Sequence, residues 1–315
     1  MIMKKRIKRL LIIVMALSLF LTMMTGCSST TDSKEANPPA EDQKDSSAET
    51  PTSNSPDKVL LVVSFGTSYN DNRDLSIGGV ENALQKTYPD YEIRRAFTSQ
   101  IIIDKLKERD NIEIDNVTEA MDRLVADGIK EVVVQPTHVM SGYEYDDVIN
   151  EVAPYKDKFE SFKMGKTLLS SDADYEETIS VITEETKSYD TEGTAIVFMG
   201  HGTEHEANST YAKLQQFITD AGQSNYFIGT VEATPSLDDI VALVKESGAK
   251  KVVLLPFMIV AGDHANNDMA GDEDDSWKST FEAEGFETET VLKGLGQYEG
   301  IQNIIVKHVG ETIAE

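Results

Sequence analysis

The 315-residue chain contains one cysteine, Cys27, so no intramolecular disulfide can form. Basic residues are also scarce: 29 Lys and Arg stand against 55 Asp and Glu, a formal net charge of −26. Residues 58–315 carry 48 acidic and 22 basic side chains and therefore hold the whole imbalance. A surface of that sign argues against nucleic acid as a partner and attracts cations, although it also serves solubility. No complete G-x-x-x-x-G-K-S/T phosphate loop occurs, and SFGTS (64–68) lacks the full spacing of a dinucleotide fingerprint. Neither Ser64 nor Ser68 lies in G-x-S-x-G, so serine-hydrolase chemistry is not expected, and neither is a nucleotide cofactor. Only five histidines occur, at positions 138, 201, 205, 264 and 308.

The N-terminus is built differently from the rest. Lys4, Lys5, Arg6, Lys8 and Arg9 precede an apolar run from Leu10 to Leu21 and then Met24-Thr25-Gly26-Cys27, the layout of a secretory signal. Small residues before a cysteine resemble a lipoprotein processing box, so residues 1–27 read as a lipoprotein signal peptide and Cys27 as the lipid anchor. The other reading is an uncleaved membrane helix, for which the apolar run is short. Both place the remainder outside the cytoplasm, anchored to the cell membrane. Residues 28–57, rich in Ser, Thr, Pro and charged residues, read as a disordered tether.

Beyond the tether, apolar runs recur at 59–68, 131–139, 194–203 and 251–262, separated by amphipathic stretches such as VTEAMDRLVADG and LDDIVALVKESG. The alternation predicts an α/β fold, and continuous apolarity predicts parallel strands covered on both faces. The halves also match. With Gly66 placed on Gly202, Thr98 falls on Thr234 once 32 residues have passed in each half; Pro136 and Gly142 share the six-residue spacing of Pro256 and Gly262. The expected architecture is therefore two similar lobes, 58–190 and 191–315, each a mainly parallel sheet flanked by helices, with a cleft between them.

Ligands of such sheets bind at the carboxyl ends of the strands. His201 in GHG and His264 in AGDH follow buried-strand runs, and Glu232 follows IGTV, where an inward carboxylate needs a partner such as a metal or a histidine. The internal match sets Glu144 opposite His264, Phe65 opposite His201 and Ala96 opposite Glu232. Two imidazoles and carboxylates converging from strand ends could hold a divalent metal with positions left open. Each residue also has a plainer reading: a strand-end His201 bonded to a carbonyl, a capping-loop His264, a surface Glu232, a solvated Glu144 and a core His138. His205 and His308 read as surface or packing residues.

LLVVSFGTSY, RRAFTSQIIIDKL, VVQPTHVMSGYEY, FMGHGTEHEAN, GTVEATPSLDD and PFMIVAGDHANNDMAGDEDDSWK together resemble the anaerobic sirohydrochlorin cobaltochelatases, the class II chelatases of cobalamin synthesis. The resemblance spans nearly all of residues 58–310. It implies two chelatase-type lobes around a tetrapyrrole cleft and a metal bound by a GHG histidine, a glutamate about 30 residues on and a GDH histidine. By motif these are His201, Glu232 and His264, with His201 also the proton acceptor. The lipoprotein-like front end departs from the family, whose members mostly work in the cytoplasm.

The implied function is ATP-independent insertion of Co2+ into sirohydrochlorin, with Fe2+ or Ni2+ as other metals and Glu144 assisting metal delivery or proton removal from the opposite lobe. Activity is expected to fall in acid as the histidines protonate. Sirohydrochlorin carries eight carboxylates, so an acidic domain needs local donors. Ser64, Gly66, Thr67, Ser68, Arg73, Arg94, Arg95, His138, Gly202 and Thr203 are the candidates for substrate contact, the arginines being equally suited to surface ion pairs. The competing reading is a lipid-anchored protein that binds metal, haem or another tetrapyrrole for uptake without catalysis. Oligomeric state stays open, a homo-oligomer included.

Overall fold

The structure, a computed structural model, describes residues 57–315; the signal and tether expectations lie outside the described residues. No helix among the described residues is long and apolar enough to cross a membrane. In the first lobe β1 (Lys58–Ser64) leads through a π-helical turn, Arg73–Ile77, into α1 (Gly78–Thr87) and β2 (Glu92–Phe97). Then follow α2 (Gln100–Asp110), α3 (Val117–Ala126), β3 (Glu131–Pro136), α4 (Tyr143–Val152), β4 (Ser161–Met164) and α5 (Asp172–Thr186). The second lobe repeats the plan with β5 (Thr194–Gly200), α6 (Ser209–Asp220), β6 (Tyr226–Thr230), α7 (Leu237–Ser247), β7 (Lys251–Pro256), α8 (Trp277–Ala283) and β8 (Glu287–Thr290), before the last helix, α9 (Glu299–Ala314).

Each lobe holds a four-stranded sheet, ordered β2-β1-β3-β4 and β6-β5-β7-β8, and every pairing is parallel. The central strands are continuous apolar runs because both faces are covered. Leu60, Val62, Ile196, Phe198, Val253 and Leu255 point into one core that both sheets share with Ile179 and Ile182 of α5 and Ile301, Ile304, Ile305 and Val309 of α9. The opposite faces fill separate cores, Val59, Leu61 and Val63 in the first lobe and Ala195, Val197 and Met199 in the second.

Helix ends follow local chemistry. Asn116 with Glu119, Ser171 with Asp174 and Ser236 with Asp239 form reciprocal capping boxes at the starts of α3, α5 and α7, and Gly248, at φ 76°, stops α7 in the left-handed conformation.

The internal match holds at the first and third strands of each lobe: Val63 pairs with Pro136 as Met199 pairs with Pro256. At the second strands it needs correction. Ser64 pairs with Phe97 whereas Gly200 pairs with Thr230, so this part of the second lobe is three residues shorter. Ser99 N–H therefore donates to Phe65 O as Glu232 N–H donates to His201 O, and the residue opposite Glu232 is Ser99, not Ala96. Thr98 likewise stands opposite Val231, not Thr234. The remaining length difference is the extra helix: α2 and α3 join β2 to β3, where α7 alone joins β6 to β7.

The C-terminal helix does not stay with the lobe that precedes it. α9 packs on α1, α5, β3 and β4, and Tyr88 Oη donates to Val306 O at 2.7 Å while Lys163 Nζ donates to Ile313 O at 2.6 Å. Its anchor is polar. His308 and Asp174, with side chains 1% and 3% exposed, meet at 2.9 Å (Nε2 to Oδ1), and the other carboxylate oxygen accepts the N–H groups of Ser170 and Ser171. Burial alone would raise the Asp174 pKa, but the bonds from His308 and Ser171 outweigh it and hold the carboxyl below its ordinary value. The stabilisation is thus present above the unfolded-state value, near pH 4, and is lost as pH falls through the lower folded-state value. Asp174→Asn, which leaves His308 without its charged partner, is expected to destabilise the protein by about 3 kcal/mol at neutral pH. In urea unfolding the difference from the unsubstituted protein should narrow below about pH 4.

Candidate metal centre

His201, Glu232 and His264 each offer a ligand atom, and these atoms all lie within 4.8 Å of one another. Among the described residues this is the one such grouping of three. The fold makes it by bringing three strand ends together: His201 follows β5, Glu232 follows β6 and His264 stands eight residues past β7, before the π-helical turn Ala265–Met269. The order β6-β5-β7 puts these ends side by side. Glu232 N–H donates to His201 O at 2.9 Å and ties the two loops.

The turn at His201 depends on glycine. Gly202 sits at φ +84°, where a Cβ would lie 2.8 Å from Ala233 N, so this loop has room for no side chain. Gly202 N–H donates to Tyr211 Oη at 3.2 Å. Burial pushes the Tyr211 phenol up to about 12 despite backbone bonds from Gly202 and His201, so the hydroxyl stays neutral.

Both imidazoles are oriented through Nδ1. His201 Nδ1 lies 2.7 Å from Gly202 O and His264 Nδ1 lies 2.7 Å from Asp268 Oδ2. A carbonyl and a carboxylate accept, so each Nδ1 carries the proton and each Nε2 presents its lone pair, the arrangement of metal-binding histidines. The rings meet edge to face with centroids 4.7 Å apart. Two neutral imidazoles and a carboxylate suit Co2+, Fe2+, Ni2+ and Zn2+, and three protein ligands leave coordination positions open. His201 is thus both carbonyl-bonded and part of the cluster. Asp268 went unnoticed in the sequence, though its spacing of four from His264 puts the two on one side of a helical turn.

The first lobe borders this cluster. A Cβ on Gly262 would lie 3.4 Å from Thr67 Oγ1, and the Tyr143 ring meets His205 edge to face at 4.8 Å, with Asp146 3.5 Å from His205 Nε2. Glu144 lies in the same first turn of α4, 46% exposed, with Oε2 3.3 Å from Nε2 of His138, which is 9% exposed. His205 caps the short helix Glu206–Asn208 and His308 is buried against Asp174, both packing roles.

The other candidates separate into those near the cleft and those held elsewhere. Ser64 is buried and its Oγ accepts from Thr137 Oγ1 at 2.8 Å. Arg94 is bonded to Glu92 and Asp127, Arg95 to Glu81, and Arg73 to Asp74 and Asn70, so the arginines occupy the ion-pair role. Thr203 N–H donates to Asn208 Oδ1 at 3.1 Å and Gly202 N–H to Tyr211, which corrects their candidacy as free donors. Gly66, Thr67 and Ser68 differ: among the described residues their N–H groups meet no protein acceptor. Gly66 holds this loop at φ +97°, with the Phe97 ring 2.5 Å from where a Cβ would be. Beneath it Arg109, 41 residues along the chain and without a sequence signal, donates to Ser68 O at 2.7 Å.

Comparison with known proteins bears on the family and the fold. Residues 58–314 match the family model described as cobalt chelatase (CbiK). The chain is 39% identical over 256 residues to the sirohydrochlorin cobaltochelatase of Salmonella typhimurium, covering 81% of this chain and 96% of the relative. It is 30% identical over 259 residues to the sirohydrochlorin cobaltochelatase CbiKC of Nitratidesulfovibrio vulgaris, covering 82% and 91%. In fold it is similar to SirB from Bacillus subtilis with Fe3+ (TM-score 0.57, 12% identity, 82% of this chain and 96% of that one). It is also similar to a sirohydrochlorin chelatase SirB from Bacillus subtilis subspecies spizizenii in complex with cobalt (TM-score 0.56, 12% identity, 81% and 94%). The expected two-lobed chelatase fold is therefore present, and the chain belongs to the cobalt chelatase (CbiK) family.

Proposed function

We propose that this protein inserts Co2+ into sirohydrochlorin, and the observation that carries the reading is the convergence of His201, Glu232 and His264 within 4.8 Å at the strand ends of one lobe. Insertion exchanges two pyrrole N–H protons for one divalent cation, so a catalyst must present the metal, take up protons and hold the macrocycle. The two Nε2 atoms and the Glu232 carboxylate present the metal, leaving positions for pyrrole nitrogens. His201 accepts one proton as the metal leaves it. Glu144, carried by the lobe that lacks the triad, accepts the other. The N–H groups of Gly66, Thr67 and Ser68 donate to a substrate carboxylate, and Arg109, itself paired with Asp110, braces their loop through Ser68 O. No step draws on ATP: the Gly165-Lys166-Thr167 run lacks the first glycine of a phosphate loop, residue 160 being Glu, and Lys166 is paired with Glu311 at 3.0 Å. Fe2+ and Ni2+ fit the same ligands. The basic, apolar and Cys27 segments of the N-terminus support an extracytoplasmic, lipid-anchored setting.

Residues 58–315 mixed with sirohydrochlorin and Co2+, followed by absorbance, should form the cobalt complex faster than the spontaneous reaction; equal rates would overturn the reading. His201→Ala should lower kcat by about 10²–10⁴-fold, the usual contribution of a positioned proton acceptor. Asp268→Asn, measured by Co2+ titration, should weaken metal binding by about 10–100-fold, because the His264 ring loses the carboxylate that orients it.

A further inference from the structure

The two lobes hold residues 138 and 258 in the same backbone setting. Thr137 N–H donates to Val63 O as Phe257 N–H donates to Met199 O; Leu168 N–H donates to His138 O as Leu295 N–H donates to Met258 O; Leu169 N–H donates to Val139 O as Gly296 N–H donates to Ile259 O. The second lobe fills this position with Met258, packed against its apolar core. The fold therefore has no need of a polar side chain there, yet the first lobe places an imidazole at it. That imidazole is nine-tenths buried, and neither ring nitrogen has a hydrogen-bond partner of good geometry. A buried polar group left in that state costs stability, so its retention calls for a role outside packing.

What the ring faces supplies the role. Its Nε2 lies 3.3 Å from Glu144 Oε2, near enough for contact but off the line of a formed hydrogen bond. Glu144 stands two residues past Gly142 as His264 stands two past Gly262, and the helical turns that follow start alike, Asp146 N–H to Gly142 O and Asn266 N–H to Gly262 O. Each lobe thus sets a functional group at the same strand end, with a partner of the complementary kind beside it: an imidazole with the Asp268 carboxylate in the second, a carboxylate with the His138 imidazole in the first.

We propose that His138 is a positioning residue for Glu144, its Nε2–H closing on Oε2 and fixing the carboxylate for proton transfer from the macrocycle. The inference rests on the reading of Glu144 as second proton acceptor. In that step a pyrrole N–H bond breaks, an O–H bond forms on the free oxygen Oε1, and the electron pair stays on the nitrogen to bind Co2+. Hydrogen bonds of this kind are commonly long before substrate arrives and tighten with it bound.

The test combines His138→Met, the residue the second lobe uses at this position, with His138→Gln, which keeps an N–H donor, and Glu144→Gln. His138→Met should fold with a melting temperature at or above that of the unsubstituted protein, since it removes a buried unpartnered polar group, and bind Co2+ within about twofold, because the triad lies in the other lobe. Its kcat should fall about tenfold with KM for sirohydrochlorin little changed, and His138→Gln should recover most of the loss. The double variant His138→Met with Glu144→Gln should be no slower than Glu144→Gln alone. Full kcat in His138→Met, or losses that multiply in the double variant, would overturn the positioning role. Full kcat in Glu144→Gln would instead overturn Glu144 as acceptor. Should His138→Met not fold, His138→Asn, too short to reach Glu144, takes its place in the same cycle under the same criteria.

Discussion

A single apolar core shared by both sheets is the constraint on which the rest of this structure depends. Leu60 and Val62 of one sheet and Ile196, Phe198, Val253 and Leu255 of the other bury their side chains together with α5 and α9. Each such side chain, removed from water, contributes about 1.5–3 kcal/mol, so the relative placement of the sheets is held by many small terms at once. The strand ends inherit that rigidity. Thr67 reaches Gly262, and Tyr143 with Asp146 reaches His205, because the sheets beneath them cannot move apart without opening the core. The proposed roles of the cluster on one lobe and of Glu144 on the other would gain from such a frame, since ligand and base geometry tolerate little slack.

Duplication explains why the site is divided as it is. Equivalent strand ends repeat the same backbone bonds, and at these ends the lobes differ in what they carry: Phe65 against His201, Ser99 against Glu232, Glu144 against His264, His138 against Met258. The second lobe carries the His201, Glu232 and His264 cluster that could hold a metal. The first keeps an open N–H loop and a carboxylate, groups suited to an anionic macrocycle and its protons.

The central strands were legible in the sequence because they are covered on both faces and read as unbroken apolar runs. Edge strands β4 (SFKM) and β8 (ETET) were not, since half-exposed segments carry polar residues that look like loop. The triad could be named from GHG, GTVE and GDH, but its convergence could not. The match of Thr98 to Thr234 is a coincidence of residue type; hydrogen bonding moves the equivalence by three and pairs Glu232 with Ser99. Arg94 and Arg95 were open to both substrate contact and ion pairing; Glu92, two residues from Arg94, was a visible partner, whereas Asp127 and Glu81 come from other elements. The role of Arg109 depends on a contact 41 residues away, which no local pattern announces.

The return of α9 to the first lobe has a consequence for the order of assembly. A chain made from its N-terminus would ordinarily complete its first folding unit while the second is still being synthesised. Here the first sheet lacks one of its covering helices until Glu299–Ala314 has left the ribosome, and the His308–Asp174 contact closes over a sequence separation of 134. The first lobe is not finished without this helix, so its sixteen residues act as a latch on completeness: a chain that stops before it has His201, Glu232 and His264 but not a finished lobe to set against them.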